Sequence, residues 1–239
     1  MKTDEVQQET PAFISKEVSN ARRFFLDLNP ASCPGIRVVC GGLEQCASNY
    51  ALSRQGFPYS SIEFIAGGHG ELKLQGRVYE LTAGTVFSYG PEIPHEITTD
   101  STNPLAKYFV DFVGEEALRL LTESSLALGS CVQVSGPAQV RAIFEELIRE
   151  GSSPGPLTPR ICALLLSYLI LKIGEKSITH GAASTGAFLT YERCRNYIEA
   201  NFLNVRTLEE VAQGCNVDKT YLCRLFKKFD HQSLSLIHI

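Results

Sequence analysis

Residues suited to nucleic-acid chemistry concentrate between Thr207 and Phe229, TLEEVAQGCNVDKTYLCRLFKKF. Lys219, Thr220, Cys223, Arg224 and Lys227 recur at helical spacing, opposite a stripe of Leu222, Leu225, Phe226 and Phe229. Such a helix suits the DNA major groove, with Lys219, Thr220, Cys223 and Arg224 toward base edges and Lys227 and Lys228 toward phosphates. The preceding residues are built to hold it. Thr207 and Glu210 make a capping box, and Leu208, Val211, Ala212 and Cys215 fall on one helix face. Asn216 tolerates the left-handed conformation of a sharp turn, and Asp218 can cap the second helix. The whole reads as a helix-turn-helix, although a plain helical hairpin with a solvated charged face has the same pattern.

A second set of candidates sits upstream, where the hydrophobic period is two. Tyr50, Arg54, Phe57, Tyr59, Glu63, Tyr89 and His95 could line a cavity for a small effector. Aromatic faces stack on a sugar or ring, while Arg54, Glu63 and His95 fix polar groups. The competing reading is core packing for the aromatics and a surface pair for Arg54 and Glu63. Metal catalysis in such a barrel calls for about three His with a carboxylate. This region offers only His69 and His95, without an H-x-H pair, and weak help from Glu63, Glu71 or Glu96. No metal, cofactor or enzymatic activity is therefore expected. No phosphate loop, nucleophile elbow or dinucleotide fingerprint is present.

The elements that must position these residues follow from periodicity and turn chemistry. A short helix is expected within Ser15–Leu28, with Val18, Ala21, Phe25 and Leu28 inward. Strands are expected near Ile36–Cys40, Tyr50–Ser53, Ser61–Ala66, Glu71–Leu74, Arg77–Leu81, Thr85–Tyr89, Glu96–Thr98 and Lys107–Phe112. Turns are expected at Gly41-Gly42 and at the later Gly, Pro and Asn clusters. Many short strands at regular spacing suggest an all-β barrel or sandwich. After Gly114 the period becomes helical, with helices over Glu115–Thr122, Ala138–Glu150 and Arg160–Ile173. The last is apolar nearly all round and is expected to be buried on both sides, either within its own monomer or as a dimer element. Lys176–Gly186 is Ser/Ala/Gly-rich and reads as a linker. Tyr191–Phe202 then braces the paired helices with Cys194, Tyr197 and Ile198.

The totals set bounds. The 239 residues are 20% charged and 44% hydrophobic with a net charge of −4, which is ordinary for a soluble protein and not that of a generally basic nucleic-acid binder. The start, MKTDEVQQET, is no signal peptide, and no apolar run reaches the ~18 residues of a membrane span. Eight cysteines without a C-x-x-C pair read as buried thiols in a reducing cytoplasm.

Two stretches resemble one family. Ala212, Val217, Tyr221, Leu222, Arg224, Leu225, Phe226, Lys227 and Lys228 resemble the first DNA-binding motif of the arabinose-regulator (AraC/XylS) transcription factors. Asn216 replaces the usual turn glycine, and Lys219 the Pro often found there. Independently, GELKLQGRVYELTAGTVFSYGPEIPHEI, with Gly84, Pro91, Pro94 and His95, resembles the second half of a cupin barrel and that family's effector-binding domain. Glu92 stands where the family usually has Gly. The resemblance implies an α+β chain in which a cupin-like β-barrel is followed by a helical dimerisation segment and an all-α helix-turn-helix domain. The expected divisions are an arm over 1–14, the barrel over 15–114, the helical segment over 115–175, the linker over 176–186 and the first helix-turn-helix over 187–233. The family has a second helix-turn-helix beyond this point. Here the chain ends LSLIHI over 234–239, which matches one reading frame of a common sequencing adapter, so a C-terminally truncated gene is expected. The implied function is sequence-specific DNA-binding transcription regulation by a small-molecule effector of sugar type, in a homodimer. The alternatives are a cupin-type metal enzyme, or a fragment that binds ligand but not DNA.

Overall fold

The computed structural model describes residues 11, 13–178, 186–202 and 204–229. Most of the expected arm, most of the linker and the expected adapter tail lie outside the described residues. Among the described residues there are eleven antiparallel strands, nine before the first helix and two between the later helices: β1 Val18–Phe25, β2 Arg37–Cys46, β3 Ala51–Arg54, β4 Ser60–Gly67, β5 Gly70–Leu74, β6 Arg77–Leu81, β7 Thr85–Tyr89, β8 His95–Thr99, β9 Ala106–Val113, β10 Cys131–Val134 and β11 Ser177–Ile178. Helix α1 is Glu115–Glu123, α2 Pro137–Ser152, α3 Thr158–Lys176, α4 Gly186–Asn201, α5 Leu208–Gly214 and α6 Lys219–Phe229.

One seven-stranded sheet runs β1-β2-β9-β4-β7-β10-β11, and a four-stranded sheet runs β3-β8-β5-β6. Parity decides which side each residue serves. On β9, Tyr108, Val110 and Phe112 join the core beneath the helices, with Ala117, Phe144, Leu147, Leu166 and Ile170. On β7 and β4, Phe87, Tyr89 and Ile65 turn the other way and join Tyr50, Leu72, Leu74 and Ile97 between the sheets. Because both faces are covered, β7, TVFSY, is buried at all five positions, and its two hydroxyl residues are satisfied by Thr85 Oγ1 donating to Gln133 Oε1 and Ser88 Oγ donating to Ala127 O.

Four expectations are corrected. The expected helix in Ser15–Leu28 is an edge strand, β1, paired with β2 from Val18↔Cys46 to Phe25↔Cys40. The expected Gly41-Gly42 turn lies in mid-strand, where the two glycines let neighbouring chains close in. A Cβ on Gly42 would stand 2.3 Å from Arg22 O, and one on Gly41 2.9 Å from both Phe109 O and the Phe24 ring. Strand β10, absent from the expected set, pairs with β7 and with β11. Helix α3 is not covered on both sides within its own chain, which overturns the monomer alternative and leaves the dimer alternative open. Cys162, Leu166, Leu169, Ile170 and Ile173 are buried, but Leu164, Tyr168 and Leu171 are 63%, 51% and 56% exposed.

The last three helices share their own core of Phe188, Tyr191, Cys194, Val211, Ala212, Cys215, Leu222, Leu225, Phe226 and Phe229. Thr207 Oγ1 accepts the Glu210 N–H at 3.2 Å, Asn216 adopts φ +51°, and Asp218 Oδ1 accepts the Tyr221 N–H at 3.0 Å. The local chemistry of caps and turn is the one the residue types dictate. All eight cysteines are free thiols.

Candidate functional site

A small chamber of about 20 Å³ lies between the sheets, covered by Phe13, Ile14 and Ser15. Its walls come from strand parity. Lys107, Phe109 and Asp111 alternate onto the inner face of β9, Glu44 lies opposite Lys107 on β2, and Glu63 lies opposite Phe109 on β4. Tyr50, Leu52, Arg54, Phe57 and Tyr89 complete the lining.

The floor is a buried ion cluster. The Lys107 ammonium sits 2.9 Å from Glu44 Oε2 and 3.1 Å from Glu63 Oε2, with all three side chains under 5% exposed. Arg23 approaches Glu44 Oε1 at 2.8 Å, and the Tyr89 hydroxyl donates to Glu63 Oε1 at 2.6 Å. Burial works against charge on Lys107, but Glu44 and Glu63 outweigh it and hold the ammonium well above its ordinary pKa. Burial likewise pushes Glu44 up, and Lys107 and Arg23 outweigh it to leave the carboxyl below the usual range. Asp111 lacks such partners. Burial raises it to about 7, against hydrogen bonds from Ser61 Oγ at 2.7 Å and Cys40 Sγ at 3.2 Å.

Three buried polar atoms have no hydrogen-bond partner among the described residues: Tyr50 Oη, Glu63 Oε2 and His95 Nε2. Glu63 Oε2 is within ion-pair range of Lys107 but out of line for a hydrogen bond. His95 places Nδ1 3.1 Å from Ile93 O, so Nδ1–H donates there and Nε2 is left as an acceptor. Burial lowers its pKa and keeps the ring neutral. Buried polar groups are more than nine-tenths satisfied in native proteins, so two orphans in the chamber, Tyr50 Oη and Glu63 Oε2, with His95 Nε2 in the cleft beside it, mark a place suited to a polar occupant.

The expected ligand residues divide. Tyr50, Arg54, Glu63 and Tyr89 line the chamber. His95 stacks on Tyr89 at 3.9 Å between ring centroids and lines a separate cleft of about 150 Å³ that shares Arg54. Tyr59 stands outside the lining; its hydroxyl donates to Leu28 O at 2.6 Å and its ring meets Phe13 and Phe57 edge-on. Arg54 and Glu63 are not a surface pair. Glu63 is buried with Lys107, and the Arg54 guanidinium donates to Phe13 O and lies over the Phe57 ring. Sequence reasoning missed Lys107, Glu44 and Asp111. The available signal was a charged residue at inward parity within the apolar strands RVVCGGLEQC and AKYFVDFV. Among the described residues, no group of three or more His, Cys, Asp or Glu is placed to hold a metal ion.

At the other end of the chain, Lys219, Thr220, Arg224, Lys227 and Lys228 are exposed along α6, and Cys223 is half-buried beside them. Lys219 pairs with Glu209 across the turn, and the Arg224 guanidinium lies 5.7 Å from the Tyr221 ring centroid. No helix among the described residues is long and apolar enough to cross a membrane.

Comparison with known proteins places residues 39–170 in the family described as the AraC-like ligand binding domain. The chain is 23% identical over 206 residues to the lactose operon transcription activator of Staphylococcus xylosus, covering 85% of this chain and 71% of that protein. It is 21% identical over 198 residues to the Msm operon regulatory protein of Streptococcus mutans, covering 81% and 70%. Among solved structures, the AraC-like transcriptional activator CuxR aligns over 81% of this chain and 71% of its own with 15% identity and a TM-score of 0.39.

Proposed function

Because this chain belongs to the AraC-like ligand-binding family, we propose that it is a cytoplasmic transcription regulator that senses a small polar effector in the barrel chamber and reads DNA through α5 and α6. The observation that carries the reading is the set of buried polar atoms without a hydrogen bond, Tyr50 Oη and Glu63 Oε2 in the chamber and His95 Nε2 in the cleft that shares Arg54 with it. Two of the three are acceptors, so the occupant must bring hydrogen-bond donors. An uncharged polyhydroxy compound of sugar type does so without setting an anion against Glu44, Glu63 and Asp111. The relative named for a lactose operon supports the same choice.

Such an effector is larger than a chamber of about 20 Å³, so it enters by displacing Phe13–Ser15. For DNA, the support is the paired helices α5 and α6 with an exposed cationic face. Arg224, Lys219, Thr220 and Cys223 would meet base edges, and Lys227 and Lys228 phosphates. A homodimer is supported by the exposed apolar stripe Leu164, Tyr168 and Leu171 on α3.

Isothermal titration with a panel of mono- and disaccharides, including lactose, tests the sensor. At least one sugar should bind, and Glu63→Gln should abolish it. A protein that binds none of the panel with Phe13 replaced by Ala refutes the sugar reading. Selection from random duplex DNA tests the reader. Arg224→Ala should weaken the selected site by about 1–3 kcal/mol and relax specificity. Sugar binding without any selected DNA would leave the chain as an effector-binding fragment.

A further inference from the structure

The end of α3 does not simply run off the barrel. Ser177 and Ile178 add to the edge of the seven-stranded sheet as β11, with Ile178 opposite Gln133 and Ser177 opposite Val134 on β10. Ser135 N donates to Lys176 O at 2.9 Å and extends this attachment by one residue. Beyond the sheet edge, Ile178 packs against the core of the three-helix head formed by α4, α5 and α6. A second contact lies beside it. Gly136 turns into α2 at φ +72°, and the Arg195 guanidinium of α4 fills the space where a side chain would be, 2.8 Å from an ideal Cβ.

Strand β10 has β11 on one side and β7 on the other, with Phe87 opposite Cys131 and Thr85 opposite Gln133. Gln133 is buried and bonded in both directions. Its Oε1 accepts from Thr85 Oγ1 at 3.0 Å, and its Nε2 donates to Ala83 O at 2.7 Å. Strand β7 also carries Tyr89, whose hydroxyl holds Glu63 in the chamber and whose ring stacks on His95. The chamber and the head are therefore two strands apart.

We propose that the β10 edge, with the Gly136 corner beside it, is the docking surface for the chain's own three-helix head, and that β7 reports the state of the chamber to the head across β10 and β11. The reporting part rests on the chamber being the effector site; the docking part does not. A two-residue strand is marginal by itself, so β11 has two accessible states, paired and released, and small changes in the strand beside it shift their balance. Chamber occupancy that moves Tyr89 shifts β7 against Gln133, releases Ile178 and frees the head from its fixed angle on the barrel.

The test needs no effector. Thr85→Val keeps the shape of the side chain and removes its bond to Gln133 along with the one it accepts from the Thr82 N–H at the start of β7. Amide exchange of the Ser177–Ile178 segment should accelerate by about tenfold, while the segments covering β4 and β9 keep their protection. Unchanged exchange at Ser177–Ile178 overturns the reporting path. In parallel, the full chain carrying Ile178→Ser with Arg195→Ala should show a larger radius of gyration by X-ray scattering with its helical circular dichroism retained. An unchanged radius overturns the docking surface. Where the double variant loses helix, Ile178→Ser alone decides by the radius, and Arg195→Ala is read only at the Gly136 corner, because Arg195 also donates to the Tyr191 hydroxyl within the head. A protein that binds no sugar leaves these results standing, and failed coupling leaves sugar binding intact, so the two readings fail separately.

Discussion

Replacing Lys107 by Met should cost the fold about 3–5 kcal/mol, the loss expected when one partner of a buried ion pair is removed. The ammonium serves two carboxylates, Glu44 at 2.9 Å and Glu63 at 3.1 Å. Arg23 remains with Glu44 in the variant, and Tyr89 remains with Glu63. Neither carboxylate is wholly abandoned, which argues for the lower end, near 3 kcal/mol. That is still a large part of the roughly 5–15 kcal/mol that holds a domain together. Urea unfolding followed by circular dichroism reads the loss. The pH dependence identifies its cause. In the variant an orphaned carboxylate has a folded pKa above its unfolded value, so the folded state binds the extra proton and stability falls as pH rises from about 5 to 8. The deficit should therefore be largest at pH 8. Adding Glu63→Gln to Lys107→Met should recover most of it, because Glu44 keeps Arg23 and Glu63 no longer carries a charge. A deficit under about 1 kcal/mol at pH 8, or a double variant as unstable as the single one, would make Lys107 a packing residue and refute the electrostatic argument.

Asp111 gives a slope of its own. With its pKa raised to about 7 by burial, the folded chain keeps a proton that the unfolded chain has lost, so stability should fall between pH 4 and 7, and Asp111→Asn should flatten the urea midpoint over that window. Glu92 holds the left-handed conformation at φ +63° on an exposed turn, so Glu92→Gly should raise the melting temperature, by an amount equivalent to about 0.5–1 kcal/mol. Leu164→Asp with Tyr168→Asp should make the chain monomeric in sedimentation while shifting its stability by no more than about 0.5 kcal/mol per site. A wild-type chain that is already monomeric at tens of micromolar would remove α3 as the dimer face.

What the sequence disclosed depended on how far each decision reached along the chain. The α5–α6 unit was legible because its determinants are local: a cap at Thr207, a turn at Asn216, a cap at Asp218 and one apolar stripe. Strands β4 to β9 were legible from alternation bounded by glycine and proline. Strand β1 was misread because Val18, Ala21, Phe25 and Leu28 also fit a helical stripe. The choice was made elsewhere, by Gly41 and Gly42 on β2, which open a seat only a strand can fill. Strand β10 was missed because CVQV is short, carries a glutamine and is specified by a partner more than 40 residues away. The candidate ligand residues were chosen for aromatic and polar character in the barrel region, which found Tyr50, Glu63 and Tyr89. Pairing across β2, β9 and β4 is what makes Lys107 and Glu44 part of the same site, and no local pattern encodes that register.

The ion cluster and the segment that covers it depend on each other. A buried ammonium with two carboxylates is tolerable only while its geometry is held and water is kept from competing for it. The segment over the cluster, Phe13–Ser15, is tied down from within. Arg23 donates to Ser15 O at 3.1 Å and to Glu44 Oε1 at 2.9 Å, and Arg54 donates to Phe13 O. Each such bond from a charged donor is worth about 1.5–3 kcal/mol. Arg23 sits on β1, so the strand hardest to read from sequence is also the one that joins the cover to the buried charges. If the proposed effector enters here, it has to break the bonds of Arg23 to Ser15 O and of Arg54 to Phe13 O. Those bonds then lower its apparent affinity in proportion to the scarcity of the open state. Removing them, as in Arg54→Ala, should tighten binding of any ligand the chamber takes, and an unchanged affinity would refute the coupling of cover and chamber.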